Sequence, residues 1–309
     1  MTLSVALCTY NGERYIREQL ESIFNQTMKV DEIVVCDDGS TDNTLSIIES
    51  YASPERPQIR IYRNEKNIGP AKNFQQAINL CTGDIIFLSD QDDVWQPTKV
   101  STIVYYFDYH PNIDTIFSNA FLIGDDGEML KGTLWDYCFD KDVRFLFDAG
   151  LEFDCFAYGN HATGATIAIR KKEMPIIEYN PGFLHDHALA ILSANNDSLG
   201  YIAQCLTKYR IHSGQVCGIT KGAPVTWYDL VHPMHEILSL PLNYDKRNRI
   251  TFYGTRIAAR RSFWGLFKII GLHKSYKELY PRGYSLLMRM DIKEFAVHKL
   301  KHIFPVKAK

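Results

Sequence analysis

The run Asp90-Gln91-Asp92-Asp93 places three carboxylates within four residues, directly behind the apolar stretch Ile85-Ile86-Phe87-Leu88. Carboxylates two apart at a strand end can both face one cation, and hard oxygen ligands suit Mg2+ or Mn2+ with phosphate completing the shell. Acids this close repel one another, which implies a counter-ion. The competing reading is a solvated acidic turn. An EF-hand is excluded, because no Gly or terminal Glu follows at the required spacing. A second polar run, Asp37-Asp38-Gly39-Ser40-Thr41-Asp42, also follows an apolar one. Asp42 or Thr41 can cap a following helix. That leaves Asp37 and Asp38 exposed at a ligand edge, where one could accept a hydrogen bond from a pyrimidine N3–H or a ribose. Gly39 permits close backbone approach or a left-handed turn.

These runs need elements to position them. Leu3-Ser4-Val5-Ala6-Leu7-Cys8 predicts a strand ending in Thr-Tyr-Asn-Gly, and Tyr15, Leu20, Ile23 and Phe24 mark the helix after it. Further strands are expected over 32–36, 59–62 and 84–88, and further helices over 42–51 and 71–80. Strands rich in β-branched residues, alternating with amphipathic helices, argue for a buried parallel sheet of βαβ units. Every polar motif falls at the C-terminal end of one of these strands, the edge where ligands bind in open α/β sheets. Beyond residue 110 the pattern loosens. Strands are expected over 115–118, 120–123 and 164–169, a turn at 124–127, helix plus loop over 141–158, and a helix over 186–194. From about 226 the chain reads as helical, basic and aromatic to its end.

Cys8-Thr9-Tyr10-Asn11-Gly12, Val35 through Asp42, Asn67-Ile68-Gly69-Pro70-Ala71-Lys72-Asn73, and Gly83-Asp84 through Asp93 occur in that order. Together they resemble a family 2 glycosyltransferase with the GT-A fold. The resemblance implies an α/β, Rossmann-like, mostly parallel sheet flanked by helices, and an inverting enzyme that binds a nucleoside diphosphate sugar. Carried over by position, Thr9, Asn11, Glu13 and Asp38 would line the nucleoside pocket, with Asn73 near the nucleotide. Asp90 and Asp92 would be the D-x-D pair, with Gln91 between them on the donor side and Asp92 the direct ligand of Mn2+ or Mg2+. Asp93 would face the acceptor or hold the turn.

The resemblance continues into the second half. Thr163-Gly164 looks like the acceptor-side Thr-Gly segment of this family, and His185-Asp186-His187 opens a helix where these enzymes place their base. Asp186 would then deprotonate the acceptor hydroxyl, a role that suits a carboxylate; the alternative is a helix cap. His185 and His187 are assigned supporting roles. Tyr209-Arg210-Ile211-His212-Ser213-Gly214-Gln215 resembles a segment of the rhamnosyltransferase-like branch. There His212 would ligate the metal or touch the diphosphate, and Arg210 would stabilise the leaving group. The branch often has Asn where this chain has Gln215 or Val216. Ser89 through Trp95 fits the same branch, in which dTDP-rhamnose is a frequent donor. Trp95 would stack on a sugar face or belong to the core.

Composition sets the outer bounds. The chain has 309 residues, 46% hydrophobic and 23% charged, with a formal net charge of -2, so it is globular and carries no nucleic-acid signal as a whole. Charge is divided unevenly: residues 246–309 hold 16 Lys and Arg against three acids, leaving 18 bases and 33 acids in 1–245. In the basic tail Arg256, Arg260, Arg261, Lys268, Lys274 and Lys277 interleave with Phe263, Trp264, Phe267, Ile269 and Ile270. That pattern suits an anionic membrane surface, where a polyprenyl-diphosphate-linked saccharide acceptor would lie; a solvated basic helix face is the alternative. Seven cysteines without C-x-x-C spacing read as reduced thiols, not a disulfide framework or zinc site. The expected organisation is a GT-A domain over 1–220, its nucleotide half about 1–110 and its acceptor half about 111–220, then a helical basic region over 221–309. The expected donor is a dTDP- or UDP-linked sugar. The expected location is cytoplasmic and peripheral to the membrane, since no signal peptide precedes the first strand and Ser262–Leu272 is too short to span a bilayer. Two rivals are weaker. A non-catalytic glycan-binding descendant would have lost Asp38, Asp90, Asp92 or Asp186, and a nucleotidyltransferase would want a Gly-rich, basic loop after the first strand.

Overall fold

A computed structural model describes residues 1–172, 184–215 and 240–250, with a few positions between 270 and 292. Strands β1 (Leu3–Thr9), β2 (Glu32–Asp37), β3 (Gln58–Arg63) and β4 (Ile85–Ser89) run parallel in the order β3-β2-β1-β4. Between them lie helices α1 (Ile16–Phe24), α2 (Thr44–Glu49) and α3 (Pro70–Leu80). β1, β2 and β4 are buried at every position, as continuous apolar runs covered on both faces should be. Val5 and Leu7 join Ile33, Val35, Ile85 and Phe87 in one core with Ile16, Leu20 and Ile23 of α1. Alternate residues lie on the other face, and α3 buries Phe74 and Ala77 against β1 and β2.

The second half continues the same sheet with mixed direction. β5 (Val94–Trp95), α4 (Lys99–Tyr109), β6 (Thr115–Ile123), β7 (Met129–Thr133) and α5 (Trp135–Cys138) come first. After α6 (Lys141–Asp148) and α7 (Glu152–Tyr158), a 3-10 turn at Gly164–Thr166 enters β8 (Ile167–Arg170), and α8 (His185–Asn195) precedes β9 (Leu199–Arg210). The sheet order is β3-β2-β1-β4-β8-β6-β9-β5, with β7 paired to β6. β8 runs against both β4 and β6, so β6 and its parallel neighbour β9 point the same way as β4. The C-terminal ends of β1, β2, β4, β6 and β9 and the entry into β8 therefore share one edge. That edge carries Thr9, Asp37, Asp90, Gly164 and Arg210.

The mixed α/β sheet agrees with the expected fold class, with differences in detail. The expected strands at 115–118 and 120–123 form one, β6, and the strand expected from Gly164 begins only at Ile167, after the 3-10 turn. β9 was not anticipated. Its pairing with β6 shifts register between Ser118 and Ala120, which breaks the period-2 signal. The chain forms two compact units: one comprises Met1–Asp140 and Gly159–His232, the other Lys141–Tyr158 and Pro233–Lys309. Within the second unit, Arg249 pairs with Asp154 at 2.9 Å and Lys246 lies over the Phe153 ring. The tail residues Arg256, Arg260, Arg261, Phe263, Trp264, Phe267, Lys268, Ile269 and Lys274 lie outside the described residues. Six cysteines are free and Cys217 lies outside the described residues. Among the described residues no helix is long and apolar enough to cross a membrane.

The opposite edge holds a structural carboxylate. Glu32, at the start of β2, accepts hydrogen bonds from Ser4 Oγ (2.6 Å), Thr82 N (2.6 Å) and Thr82 Oγ1 (2.8 Å), and Arg60 forks onto it through Nε and an Nη. Burial alone would raise its carboxyl, but these donors hold it down to about 2 from the usual 4.5. A depressed folded-state value stabilises the fold above pH 4.5, and that contribution is lost as pH falls toward 2. In denaturant titrations, the stability gap between the parent and Glu32→Gln should be constant above pH 5 and should close between about pH 4.5 and 2. A gap independent of pH would contradict this account.

Candidate functional site

The β1–α1 and β2–α2 loops are joined by side-chain-to-backbone bonds. Thr9 Oγ1 donates to Asp37 Oδ2 at 2.8 Å, while Ser40 N and Gly39 N donate to Asp37 Oδ1. Asn11, at φ 49°, accepts from Thr41 N at 2.8 Å, and its own N–H donates to Ser40 Oγ. Asparagine tolerates that left-handed conformation better than most residues. Gly12 N donates to Thr44 Oγ1, Glu13 N donates to Asp42 Oδ2, and Glu13 Oε2 accepts from both Asn43 N and Asn43 Nδ2. Asp38 Oδ1 accepts from Asn64 Nδ2 and Ile68 N, and Oδ2 from Gly69 N. Asn73 donates to Cys36 O and accepts from Asn64. The expectation that Asp37 and Asp38 are exposed is therefore corrected: they are 0% and 3% exposed. Asp37 shapes its own loop, and Asp38 holds the 64–69 loop. Thr9, Asn11, Glu13 and Asn73 likewise meet protein partners.

Gln91 lies across the first loop. Its Oε1 accepts from Tyr10 N at 2.8 Å and its Nε2 donates to Tyr10 O at 3.0 Å, the pairing of two adjacent strands. A Cβ on Gly12 would lie 2.2 Å from Gln91 Oε1, so this clasp requires glycine. Gln91 thus fixes the acidic turn to the end of β1.

Arg210 fixes the other side of that turn. It is 1% exposed, and its N–H donates to Asp93 Oδ1 at 3.0 Å. Its Nε donates to Asp92 O at 2.7 Å, one Nη to Gly124 O and Asp125 O, and the other Nη to Glu18 Oε2. The guanidinium also covers the Tyr15 ring at 4.9 Å. The resemblance gives Arg210 the role of stabilising the leaving group; in the fold its donors join β9, the acidic turn, the 124–125 turn and α1. Trp95 is likewise corrected from a possible sugar platform to a core residue, 3% exposed against Phe87, with Lys99 Nζ 4.2 Å over its ring.

The acidic cluster is electrostatically strained. Burial, then Asp92 and Asp186, push the Asp90 carboxyl up to about 7, with Lys99 opposing them. Burial and the charges of Asp92 and Asp90 raise Asp93 well above the carboxylate range, and Asp93 Oδ2 has no hydrogen-bond partner among the described residues. Asp92 Oδ2 meets His212 Nε2 at 2.8 Å. His212 Nδ1 accepts from Gly214 N at 3.2 Å, which leaves the proton on Nε2 facing Asp92. Tyr15 packs against that imidazole at 4.8 Å, and its hydroxyl donates to Asp125. Among the described residues no three His, Cys, Asp or Glu side chains already converge as a cation cage. The donor set nonetheless fits Mg2+ or Mn2+, which keep open positions for substrate phosphate and water, and a cation would relieve the repulsion that raises Asp90. Binding through His212 Nε2 would move the ring proton to Nδ1, so the Gly214 N–H would have to turn away.

Asp186 approaches from α8. Its Oδ2 accepts from Gly164 N at 3.2 Å and its Oδ1 from His187 N at 2.7 Å, and it is 7% exposed. Asp186 thus contacts both the first turn of its own helix and the Gly164 turn. Gly164 is required for this approach, since a Cβ there would lie 2.9 Å from His185 Nε2. His185 cannot easily move, because it stacks on buried Phe74 at 4.1 Å. Thr163 O accepts from Thr166 N and Oγ1 and closes the 3-10 turn. Sequence reasoning missed Glu18, Tyr15, Asp125 and Lys99. No spacing signal marks them, because each acts through contacts distant in sequence.

The sequence model described as Glycosyl transferase family 2 matches residues 4–163. An uncharacterized glycosyltransferase of Haemophilus influenzae is 26% identical over 314 residues, covering 97% of this chain and 89% of its own. One from Methanocaldococcus jannaschii is 28% identical over 215 residues, covering 68% of this chain and 70% of its own. The crystal structure of S. aureus TarS in complex with UDP-GlcNAc superposes with a TM-score of 0.54 at 18% identity, covering 90% of this chain and 82% of that one.

Arg210→Met should cost about 1–3 kcal/mol, because it leaves three carbonyls without their buried donor while the exposed Glu18 returns to water. Chemical denaturation of the parent and variant measures it. A loss below about 1 kcal/mol would mean these bonds are replaced by water.

Proposed function

The chain belongs to glycosyl transferase family 2, and on that premise we propose that it transfers a sugar with inversion from a dTDP- or UDP-linked donor. Rhamnose from dTDP-rhamnose is the preferred donor sugar, on the likeness of Ser89–Trp95 and Tyr209–Gln215 to that branch. The acceptor is a lipid-linked or cell-surface saccharide. What supports the reading is that one sheet edge holds both Asp90 and Asp92, which follow β4, and the Gly164 N–H at the entry into β8, which donates to Asp186 Oδ2 at 3.2 Å.

In this reading Asp186 is the base. Its carboxylate takes the proton of the acceptor hydroxyl as that oxygen attacks the anomeric carbon, the bond to the donor phosphate breaks on the opposite side, and the nucleoside diphosphate leaves. The Gly164 N–H holds Asp186 Oδ2 in place for this step. Asp92, Asp90 and His212 would hold Mn2+ or Mg2+. Such a cation supplies neutralising charge to the diphosphate. Thr9, Asn11, Glu13, Asp38 and Asn73 keep the nucleotide side in shape, and Gln91 and Arg210 set the position of the acidic turn. Asp93, Thr163 and Gly164 lie toward the acceptor. A UDP-hexose donor is the second reading, since donor choice is set by pocket shape, and TarS of the same fold was crystallised with UDP-GlcNAc. Residues 1–220 would form the catalytic domain, and the basic region 246–309 would hold it to anionic lipid on the cytoplasmic side.

A panel of nucleotide sugars with added Mn2+ or Mg2+, scored for donor hydrolysis and transfer, tests the class of reaction. dTDP-rhamnose should give the highest turnover, and EDTA should abolish it. Asp186→Asn should lower kcat by about 10²–10⁴-fold, and retained activity would remove Asp186 from the base role. For the membrane, truncation after residue 245 should abolish sedimentation with phosphatidylglycerol vesicles, and unchanged binding would exclude the basic region as the anchor.

A further inference from the structure

Lys99 occupies a position that its chemistry disfavours. It is the first residue of α4, where the helix macrodipole repels a cation, and it is fully buried, where a lysine is rarely found. Its Nζ donates to Ala165 O at 2.7 Å and to Thr207 Oγ1 at 3.0 Å, and it lies over the Trp95 ring at 4.2 Å. Ala165 is the middle residue of the 3-10 turn whose preceding residue, Gly164, donates to Asp186 Oδ2. Thr207 pairs in register with Trp95 of β5 and lies three residues before Arg210. Burial lowers the Lys99 amine to about 7, against the opposing effect of the Asp93 and Asp90 charges. One buried amine thus touches the turn that holds Asp186 and the strand that carries Arg210. An apolar side chain of similar volume would often serve stability as well or better.

We propose that Lys99 is a positioning residue for the transfer reaction, anchoring the Gly164–Thr166 turn through Ala165 O so that Asp186 stands in fixed relation to Asp90 and Asp92. The inference rests on Asp186 acting as the base. Lys99 touches neither donor nor acceptor and acts through Asp186. The bond to Ala165 O fixes the turn's carbonyl, and the turn's own Thr166 N–H to Thr163 O bond passes that constraint to Gly164.

Lys99→Met keeps most of the stem and removes the ammonium, and Thr207→Val removes one of its acceptors. By hydrogen-exchange mass spectrometry of the full-length protein, peptides covering 160–170 should exchange about tenfold faster in Lys99→Met than in the parent, with α3 peptides unchanged. Thr207→Val should show a smaller acceleration in the same peptides, and it carries the measurement if Lys99→Met does not fold. In dTDP-rhamnose hydrolysis with Mn2+, Lys99→Met should lower kcat about 30-fold and leave the donor KM within about threefold. Lys99→Met combined with Asp186→Asn should lose no more than Asp186→Asn alone, as expected of residues acting as one unit. Parent-like exchange over 160–170, or additive losses in the double variant, overturns the proposal. Full activity in Asp186→Asn overturns the base assignment instead, and the proposal with it, whereas a normal defect in Asp186→Asn beside an active Lys99→Met overturns the proposal alone.

Discussion

The Arg210 guanidinium lies where β9, the acidic turn, the 124–125 turn and α1 meet, and almost no solvent reaches it. A buried cation must have its donors satisfied, and here the acceptors are Asp92 O, Gly124 O, Asp125 O and Glu18. Two of these backbone segments carry no regular structure of their own, so their positions follow from where the fork of donors points. The side chains on the turn inherit that placement. Asp93 receives the Arg210 N–H, and Asp92 is left facing His212. Residues 92 and 210 are far apart in sequence, yet one side chain sets their separation.

Charge is used differently at the two edges of the sheet. At the N-terminal edge Glu32 is surrounded by donors and held fully ionised, which is what a structural carboxylate needs. At the C-terminal edge Asp90 and Asp93 are raised by burial and by the charge of Asp92, with too few donors to compensate. Perturbed carboxylates of this kind cluster at functional sites, which is the ground for proposing one at this edge.

Much of the fold was legible in the sequence, for particular reasons. β1, β2 and β4 are buried on both faces and so appear as unbroken apolar runs, and the motifs at their ends lie on one edge because the strands are parallel. β9 was hidden by register shifts that interrupt its alternation. Side-chain roles were less legible than side-chain locations. Asp38, Glu13 and Asn73 lie at the expected edge, but nothing local indicates that their polar atoms meet Gly69, Asn43 and Cys36. The resemblance linked Arg210 to the leaving group and left Trp95 open between a sugar face and the core, and tertiary packing buries both. Lys99 follows Gln-Pro-Thr and has the look of a solvated first helical turn; only the folded chain buries it.

The clasp of Gln91 on Tyr10, made possible by Gly12, bears on the thermodynamics of ligand entry. Together with Asn11 and Glu13 it orders three loops before any nucleotide arrives. The conformational entropy of those loops is lost at folding, not at binding. On the proposed reading, nucleotide recognition at this edge would be close to rigid docking, and its affinity would reflect contact and desolvation with little deduction for ordering. Loosening the clasp would move that entropy loss back into the binding step, weakening affinity without removing a single contact to the ligand.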